Sequence, residues 1–408
     1  MSIIIKAPEK TNNINVELPA SKSISNRLLI LNALSYSPHP IKNLSDSDDT
    51  KAMLQVFNSN TNHFDIGAAG TTMRFLTAYL SKIVGEWTIT GSTRMKQRPI
   101  AVLVDALNQL GGKIEYMEKE GYPPLRIFGS SLTGGEMELP GDISSQYISA
   151  LLMVGPAMEN GLRLKLTGEI TSRPYIHLTL KLMEMYGVKC HWKENIITVP
   201  VANYKPVEAK VESDWSAASY WFEIIALSNP GDSVTLKGLD RYSWQGDSAV
   251  AELFKKLGVQ SKFSAKGLTL TNTGEYAEKF THDFTKEPDL AQTFAVTCAF
   301  LNIPFSLTGL HTLKIKETDR IQALVNELGK FGFELNTNDK DNLVWQGDKK
   351  EATSDIEIAT YKDHRMAMAF APAALKHNLF KIADPTVVSK SYPAFWDDLR
   401  KAGFEITD

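Results

Sequence analysis

Apolar residues along this chain return at helical spacing just before a glycine and at alternating spacing just after it. Residues 106–114, Ala-Leu-Asn-Gln-Leu-Gly-Gly-Lys-Ile, set the pattern, and it recurs at 182–189, 253–259, 328–334 and 399–406. Each copy predicts an amphipathic helix, a left-handed glycine that ends it, and a strand. The glycines fall about 71 to 75 residues apart, a regularity that marks a repeated unit. Residues 50–57, followed by Asn58, predict a sixth copy in which asparagine takes the left-handed place. Turn signals at 272–274 (Asn-Thr-Gly) and 347–348 (Gly-Asp) close the strands. The expected class is α/β, built from six similar units. A break near Val211 leaves three units on either side, and this division predicts two pseudo-symmetric halves facing one cleft.

At 408 residues each half can bury its own core, so neither disulfides nor metals are needed for stability. The formal net charge of -3 gives no basic field for nucleic acid or an anionic membrane, which favours a small-molecule partner. No apolar run approaches the ~20 residues of a membrane span, and the first residues do not read as a signal peptide. A cytoplasmic protein is expected. The two cysteines, Cys190 and Cys298, lie in apolar surroundings and read as small buried hydrophobes. The eight histidines lack metal-ligand spacing, so no metal is expected.

Arginine use is selective. Of the eleven arginines, Arg27, Arg74, Arg94, Arg98, Arg173, Arg320 and Arg365 lie in short Gly/Ser/Pro/Asp-rich junctions before helical patterns. A guanidinium grips phosphate or carboxylate with two bonds, and a helix start adds ~0.3–1 kcal/mol per anion. Ser21-Lys22-Ser23-Ile24-Ser25-Asn26-Arg27 gathers hydroxyls and two cations, yet is no Walker loop. Gly67-Ala68-Ala69-Gly70 lets a ligand approach the backbone, and Arg94 to Arg98 puts three cations before a helix whose first turn accommodates Pro99. Ser144-Ser145-Gln146 and Thr171-Ser172-Arg173 offer neutral donors and acceptors. In the second half, Asp289, Lys316-Glu317-Thr318-Asp319-Arg320, Asp363-His364-Arg365 and Lys390 repeat the device. An aspartate at a helix start usually serves as a cap, which is the ordinary reading of Asp289 and Asp363. Glu317 sits in more charge than a cap requires. Paired acids beside anion-binding cations suit a proton-shuttling transferase acting on two anions.

Five segments resemble, in order, the signatures of the 5-enolpyruvylshikimate-3-phosphate synthase family: 21–27, 94–100 (Arg-Met-Lys-Gln-Arg-Pro-Ile), 144–146, 316–320 and 363–368 (Asp-His-Arg-Met-Ala-Met). The resemblance covers nearly the whole chain. It implies two pseudo-symmetric domains of three βαβαββ-type repeats each, an inside-out α/β barrel, with the active site in the interdomain cleft. It also implies a discontinuous phosphoenolpyruvate-side domain, 1–20 plus 213–408, and a shikimate-3-phosphate-side domain, 21–212.

Carried over to matching positions, Lys22, Ser23, Arg27, Ser144, Ser145, Gln146, Ser172, Asp289 and Lys316 would hold shikimate 3-phosphate. Lys22, Gly70, Arg98, Gln146, Arg320, Arg365 and Lys390 would hold phosphoenolpyruvate. Asp289, Glu317 and Lys22 would be catalytic, in addition and elimination that leads toward chorismate and the aromatic amino acids. No cofactor, metal, nucleic acid or membrane is implied, and a monomer is expected. Three positions depart from the family pattern: Ala68, often Asn; Phe75, often Pro; and Thr312, sometimes Asn. The first two flank Gly70 and bear on glyphosate sensitivity more than on activity. Two other readings are a UDP-N-acetylglucosamine enolpyruvyl transferase, which carries a mobile-loop cysteine acid, and a non-catalytic phosphometabolite-binding protein, which has no need of Glu317 and Asp289 together.

Overall fold

A computed structural model describes residues 1–11, 14–338 and 340–407. The chain divides into two compact units, Ala20–Val211 and a discontinuous one of Met1–Pro19 with Glu212–Asp408.

Within Ala20–Val211, two four-stranded sheets have the same order and sense. In the first, His63–Asp65 runs parallel to Gly85–Thr90, which pairs antiparallel with Leu125–Gly129, itself antiparallel to Lys113–Tyr116. The second repeats this with Gly135–Pro140, Leu162–Thr167, Ile196–Val199 and His191–Lys193. Helices Gly70–Lys82 and Ala101–Gln109 serve the first repeat, and Ser145–Val154 and Arg173–Met185 the second. A third pair of helices, Lys22–Leu34 and Asp48–Phe57, has an isolated parallel bridge, Lys42 to Lys210, in place of a sheet.

The discontinuous unit follows the same plan with a displaced start. Ile14–Glu17 opens one sheet, running parallel to Ser233–Lys237, and Gly267–Tyr276 and Leu257–Ser264 complete it. Phe280–Asp283, Phe305–Thr308 and Leu343–Trp345 make a second. In the third, the order is Glu357–Ile358, Phe380–Ala383, Ser2–Lys6, Glu405–Thr407. The strand nearest the amino terminus thus supplies the place that the last strand of a repeat fills elsewhere. All of Ala20–Val211 lies between the first strand of the opening repeat and its helix, Trp215–Leu227.

In each unit the helices lie inside and the sheets outside. Every residue of helices Ala291–Phe300 and His364–Phe370 is buried, as is all of Ser145–Val154 except Gln146. A helix apolar on every side belongs in a core. The strands alternate instead. Leu162, Leu164 and Leu166 face inward while Arg163 and Lys165 pair across the outer face with Glu136 and Glu138, at 3.2 and 2.6 Å.

The repeat glycines behave as the pattern predicts. Gly111, Gly187, Gly258, Gly332 and Gly403 all have φ between +78° and +96°, the region where a side chain is strained. Four local expectations fail. The turn signal at 272–274 lies inside strand Gly267–Tyr276, and among the described residues no strand directly follows Gly332, where Phe333 and Asn336 make only isolated bridges. Asn58 ends its helix at φ -93°, because its N–H reaches back to the Leu54 carbonyl without a left-handed turn. Pro99 precedes its helix instead of entering it: Arg98 is extended, Ile100 is the cap, and the helix begins at Ala101. Among the described residues no helix is long and apolar enough to cross a membrane.

Candidate active site

In the discontinuous unit, four helical junctions deliver one ionic lattice. Asp319 caps helix Arg320–Lys330 by accepting from the Gln322 N–H at 3.1 Å, and Asp363 caps helix His364–Phe370 through the Arg365 N–H at 2.9 Å. Between these starts sits Arg320, buried, with three carboxylates on one guanidinium. Its Nε donates to Asp363 Oδ2 at 2.7 Å, Nη1 to Asp289 Oδ1 at 3.0 Å, and Nη2 to Glu317 Oε2 at 3.0 Å. Asp289 then reaches Arg365, whose Nη2 lies 2.9 Å from Oδ2, and Lys316, 3.5 Å from Oδ1. The other oxygen of Glu317 accepts from Lys390 Nζ at 2.7 Å. Arg365 also contacts Tyr220 Oη at 3.4 Å and Ser216 Oγ at 3.5 Å, and Ser216 donates to Asp247.

The lattice holds four cations against three carboxylates, so an added anion moves it toward balance. Burial opposes the charged form of Asp289, but Arg365, Lys316 and Arg320 outweigh it and hold the carboxyl well below its usual range. Burial lowers the Lys316 ammonium, with Asp289 pulling the other way. For Arg320 burial is again the largest single influence, yet Asp363, Glu317 and Asp289 together raise it above its ordinary value. The Tyr220 hydroxyl is pushed up to about 12 by burial.

In Ala20–Val211 the buried guanidinium of Arg27 meets neutral partners. Arg27 is buried within helix Lys22–Leu34; its Nε donates to Thr179 Oγ1 at 2.7 Å, Nη1 to the Ser23 carbonyl at 2.9 Å, and Nη2 to Ser149 Oγ at 3.2 Å. Its guanidinium lies 5.3 Å from the Phe75 ring centroid, so the departure from proline at 75 supplies an aromatic face. Burial lowers Arg27 to about 10. Lys22 Nζ is 3.9 Å from Asp49 Oδ2, while Asp49 Oδ1 accepts from the Thr71 N–H at 3.0 Å. Gln146 Nε2 donates to Thr71 Oγ1 at 3.2 Å.

Gly70 is fixed by crowding. A Cβ there would stand 2.6 Å from Arg98 Nη1 and 2.8 Å from Arg74 Nη1, so with any other residue these guanidinium groups would have to draw back. Ser144 accepts from the Gln146 N–H at 3.4 Å at the start of helix Ser145–Val154. Ser172, before Arg173–Met185, holds the left-handed φ of +50° and makes no side-chain cap bond. That leaves this helix start, like Ala69 before Gly70–Lys82, without a cap from its own side chain, which suits an anion or a polyol.

Over residues 7–62 and 57–399 the sequence matches the family described as EPSP synthase (3-phosphoshikimate 1-carboxyvinyltransferase). The chain belongs to the EPSP synthase family. It is 54% identical over 407 residues to a 3-phosphoshikimate 1-carboxyvinyltransferase of Bacteroides fragilis, covering 100% of this chain and 99% of that one. A Vibrio vulnificus protein of the same name is 34% identical over 428 residues, covering 98% of each. The fold matches the structure of an EPSP synthase from Acinetobacter baumannii with a TM-score of 0.80, at 21% identity and 100% coverage of both chains. The two-domain inside-out α/β architecture is the fold of this family.

Most of the residues singled out from sequence fall into these two clusters; Arg94 is exposed, and Arg173 is exposed over the Trp192 ring, 4.2 Å from its centroid. Asp289, Lys316, Glu317, Arg320, Arg365 and Lys390 share the ionic lattice. Lys22, Gly70, Arg98 and Gln146 are linked through Asp49, Thr71 and Arg74. Ser23 and Arg27 touch directly, and Ser172 joins them through Tyr175, whose N–H donates to its carbonyl at 3.0 Å and whose own carbonyl lies 3.5 Å from Arg27. The capping role is wrong for Asp289, whose oxygens go to side-chain cations, and incomplete for Asp363, which caps and also grips Arg320. Asp49 is a site residue that the sequence pattern did not single out, although the doubled acid at 48–49 exceeds what one helix start requires.

Proposed function

We propose that this protein transfers the 1-carboxyvinyl group of phosphoenolpyruvate to the 5-hydroxyl of shikimate 3-phosphate, releasing phosphate. The observation that carries this reading is the sharing of Arg320 by Asp289 and Glu317, inside a ring completed by Lys316, Arg365 and Lys390. A protein that only bound phosphorylated metabolites would gain affinity from the cations and lose it to the acids. Two acids held among cations supply proton transfer.

The sugar phosphate is held by Lys22, Ser23, Arg27, Ser144, Ser145, Gln146, Ser172, Asp289 and Lys316. Arg27 is the strongest support, because the partners of its buried charge are hydroxyls, carbonyls and an aromatic ring. Phosphoenolpyruvate is held by Lys22, Gly70, Arg98, Gln146, Arg320, Arg365 and Lys390, whose guanidinium groups suit both its carboxylate and its phosphate. All these residues come from one chain, so a monomer suffices.

In the addition step the 5-oxygen bonds to C2 of phosphoenolpyruvate, its proton leaves, and C3 gains a proton to become methyl. In the elimination step the C2–O bond to phosphate breaks and a methyl proton departs, restoring the double bond as an enol ether. Glu317 gives and takes the C3 proton, with Lys390 at 2.7 Å as its nearest proton source. Asp289, kept ionised by its cations, or Lys22 helps remove the hydroxyl proton. The cationic ring stabilises the charge that develops on the departing phosphate.

The cysteines favour shikimate 3-phosphate over UDP-N-acetylglucosamine. Cys298 is buried, its thiol pushed well up by burial, and Cys190 is half-buried with its thiol raised to about 12. Thiols raised in this way stay protonated at neutral pH and surrender the proton reluctantly, so neither suits a general acid. Phosphate release from phosphoenolpyruvate should require shikimate 3-phosphate. No release with both present, or equal release with UDP-N-acetylglucosamine, would overturn the assignment.

A further inference from the structure

Two turns beyond Arg320 on the same helix lies Glu327, a buried carboxylate outside the site. Its Oε1 accepts from the Tyr361 hydroxyl at 2.7 Å, and its Oε2 from the Ala359 N–H at 3.0 Å and from Lys330 Nζ at 2.7 Å. Lys330 Nζ also donates to the Glu357 carbonyl at 2.7 Å, and Asn326 Nδ2 reaches Tyr361 Oη at 3.3 Å. One helix therefore holds the 357–361 segment through several polar bonds at its far end.

The turn at the end of that segment is strained. Tyr361 and Lys362 are consecutive left-handed residues, at φ +54° and +56°, a conformation that bulky side chains resist. The next residue is Asp363, whose N–H donates to the Thr360 carbonyl at 2.8 Å and whose carboxylate takes both Arg320 and the Arg365 N–H. The strained pair is thus fastened to the same helix on both sides: by Arg320 through Asp363, and by Glu327 through Tyr361 and Ala359. Without the second fastening the turn can relax to an ordinary conformation, which re-aims Asp363 and, with it, Arg365.

We propose that Glu327, acting through Tyr361, is a positioning residue that holds this turn in its strained form and so sets the guanidinium of Arg365 for the anionic groups of phosphoenolpyruvate. The inference rests on the assignment of Arg320 and Arg365 to that substrate. It adds a part of the machinery well removed from the reacting atoms.

The test uses the full-length protein with Tyr361→Phe, which removes one hydroxyl, Glu327→Ala, and Glu327→Ala combined with Lys362→Gly. Tyr361→Phe and Glu327→Ala should raise KM for phosphoenolpyruvate roughly five- to tenfold and KM for shikimate 3-phosphate less than about twofold. Lys362→Gly should recover at least half of that increase, because glycine adopts the left-handed turn without the fastening. A parallel rise of both KM values, or no recovery in the double variant, overturns the proposal.

Amide hydrogen exchange at Asp363 and Arg365 supplies a readout independent of turnover. In unliganded Tyr361→Phe these amides should exchange roughly tenfold faster, with amides of helix Ala291–Phe300 unchanged. Unchanged exchange at 363 and 365 overturns the fastening even if the enzyme is active. Accelerated exchange in a protein that releases no phosphate would sink the substrate assignment and leave the fastening standing.

Discussion

Arg320 and Arg27 are both buried arginines, one in each unit, the first opening its helix and the second in the second turn of its own, and they are handled in opposite ways. Arg320 is surrounded by Asp289, Glu317 and Asp363 and is raised above its ordinary value. Arg27 is surrounded by Thr179, Ser149, the Ser23 carbonyl and Phe75, and is lowered to about 10. Each unit buries a guanidinium, and its partners set what surrounds the charge. Under the function proposed above, the first surroundings serve proton transfer and the second hold a phosphate.

The sharpest way to break that comparison is at Glu317, to which the proposed function gives the C3 proton. Glu317→Gln should lower kcat by about 10²- to 10⁴-fold, as expected for loss of a general acid–base group, while the far-ultraviolet spectrum and unfolding midpoint stay close to the original. A phosphate-release assay checks it; an unchanged rate removes Glu317 from the mechanism. Arg320→Met comes next. It takes a cation from three carboxylates, leaving Asp289 with Arg365 and Lys316 and Glu317 with Lys390 while the fully buried Asp363 loses its guanidinium bonds, and should cost about 3–5 kcal/mol of stability by denaturant unfolding. Arg27→Met strands only neutral acceptors. It should cost about 1–3 kcal/mol and raise KM for shikimate 3-phosphate. If the two arginine losses prove equal, the contrast between the units is wrong.

A smaller effect tests what happens to an acid without a cation. Glu223 lies in the core on helix Trp215–Leu227, where burial pushes its carboxyl well above the ordinary value of 4.5 and Thr297 only partly offsets the shift. The folded protein therefore holds this proton more tightly than the unfolded chain. The associated stability is fully present below pH 4.5 and is lost as pH rises toward the folded value. Glu223→Gln should stabilise the protein more at neutral pH than near pH 5, by up to about 1.4 kcal/mol per pH unit across that window. A gain independent of pH would show that the carboxyl is not held protonated.

Much of the architecture was legible because it is local. A helix that ends in a left-handed glycine writes both events within ten residues, and Gly111, Gly187, Gly258, Gly332 and Gly403 all carry the expected sign of φ. Asn58 did not, since asparagine permits that turn without requiring it. The clusters were legible as charge at helix starts. The partners of those charges were not, because Asp363 meets Arg320 across 43 residues and Arg27 meets Thr179 across 152. An aspartate that caps looks the same in sequence whether or not its second oxygen also holds an arginine.

The sheet that places Ser2–Lys6 between Phe380–Ala383 and Glu405–Thr407 also sets an order of assembly. On the ribosome, Ser2–Lys6 emerges long before either of its neighbours, whereas Ala20–Val211 is continuous and can collapse soon after it leaves the exit tunnel. The discontinuous unit therefore becomes whole after Ala20–Val211, and the edges of Ser2–Lys6 must be kept from other partners until Phe380–Ala383 and Glu405–Thr407 arrive.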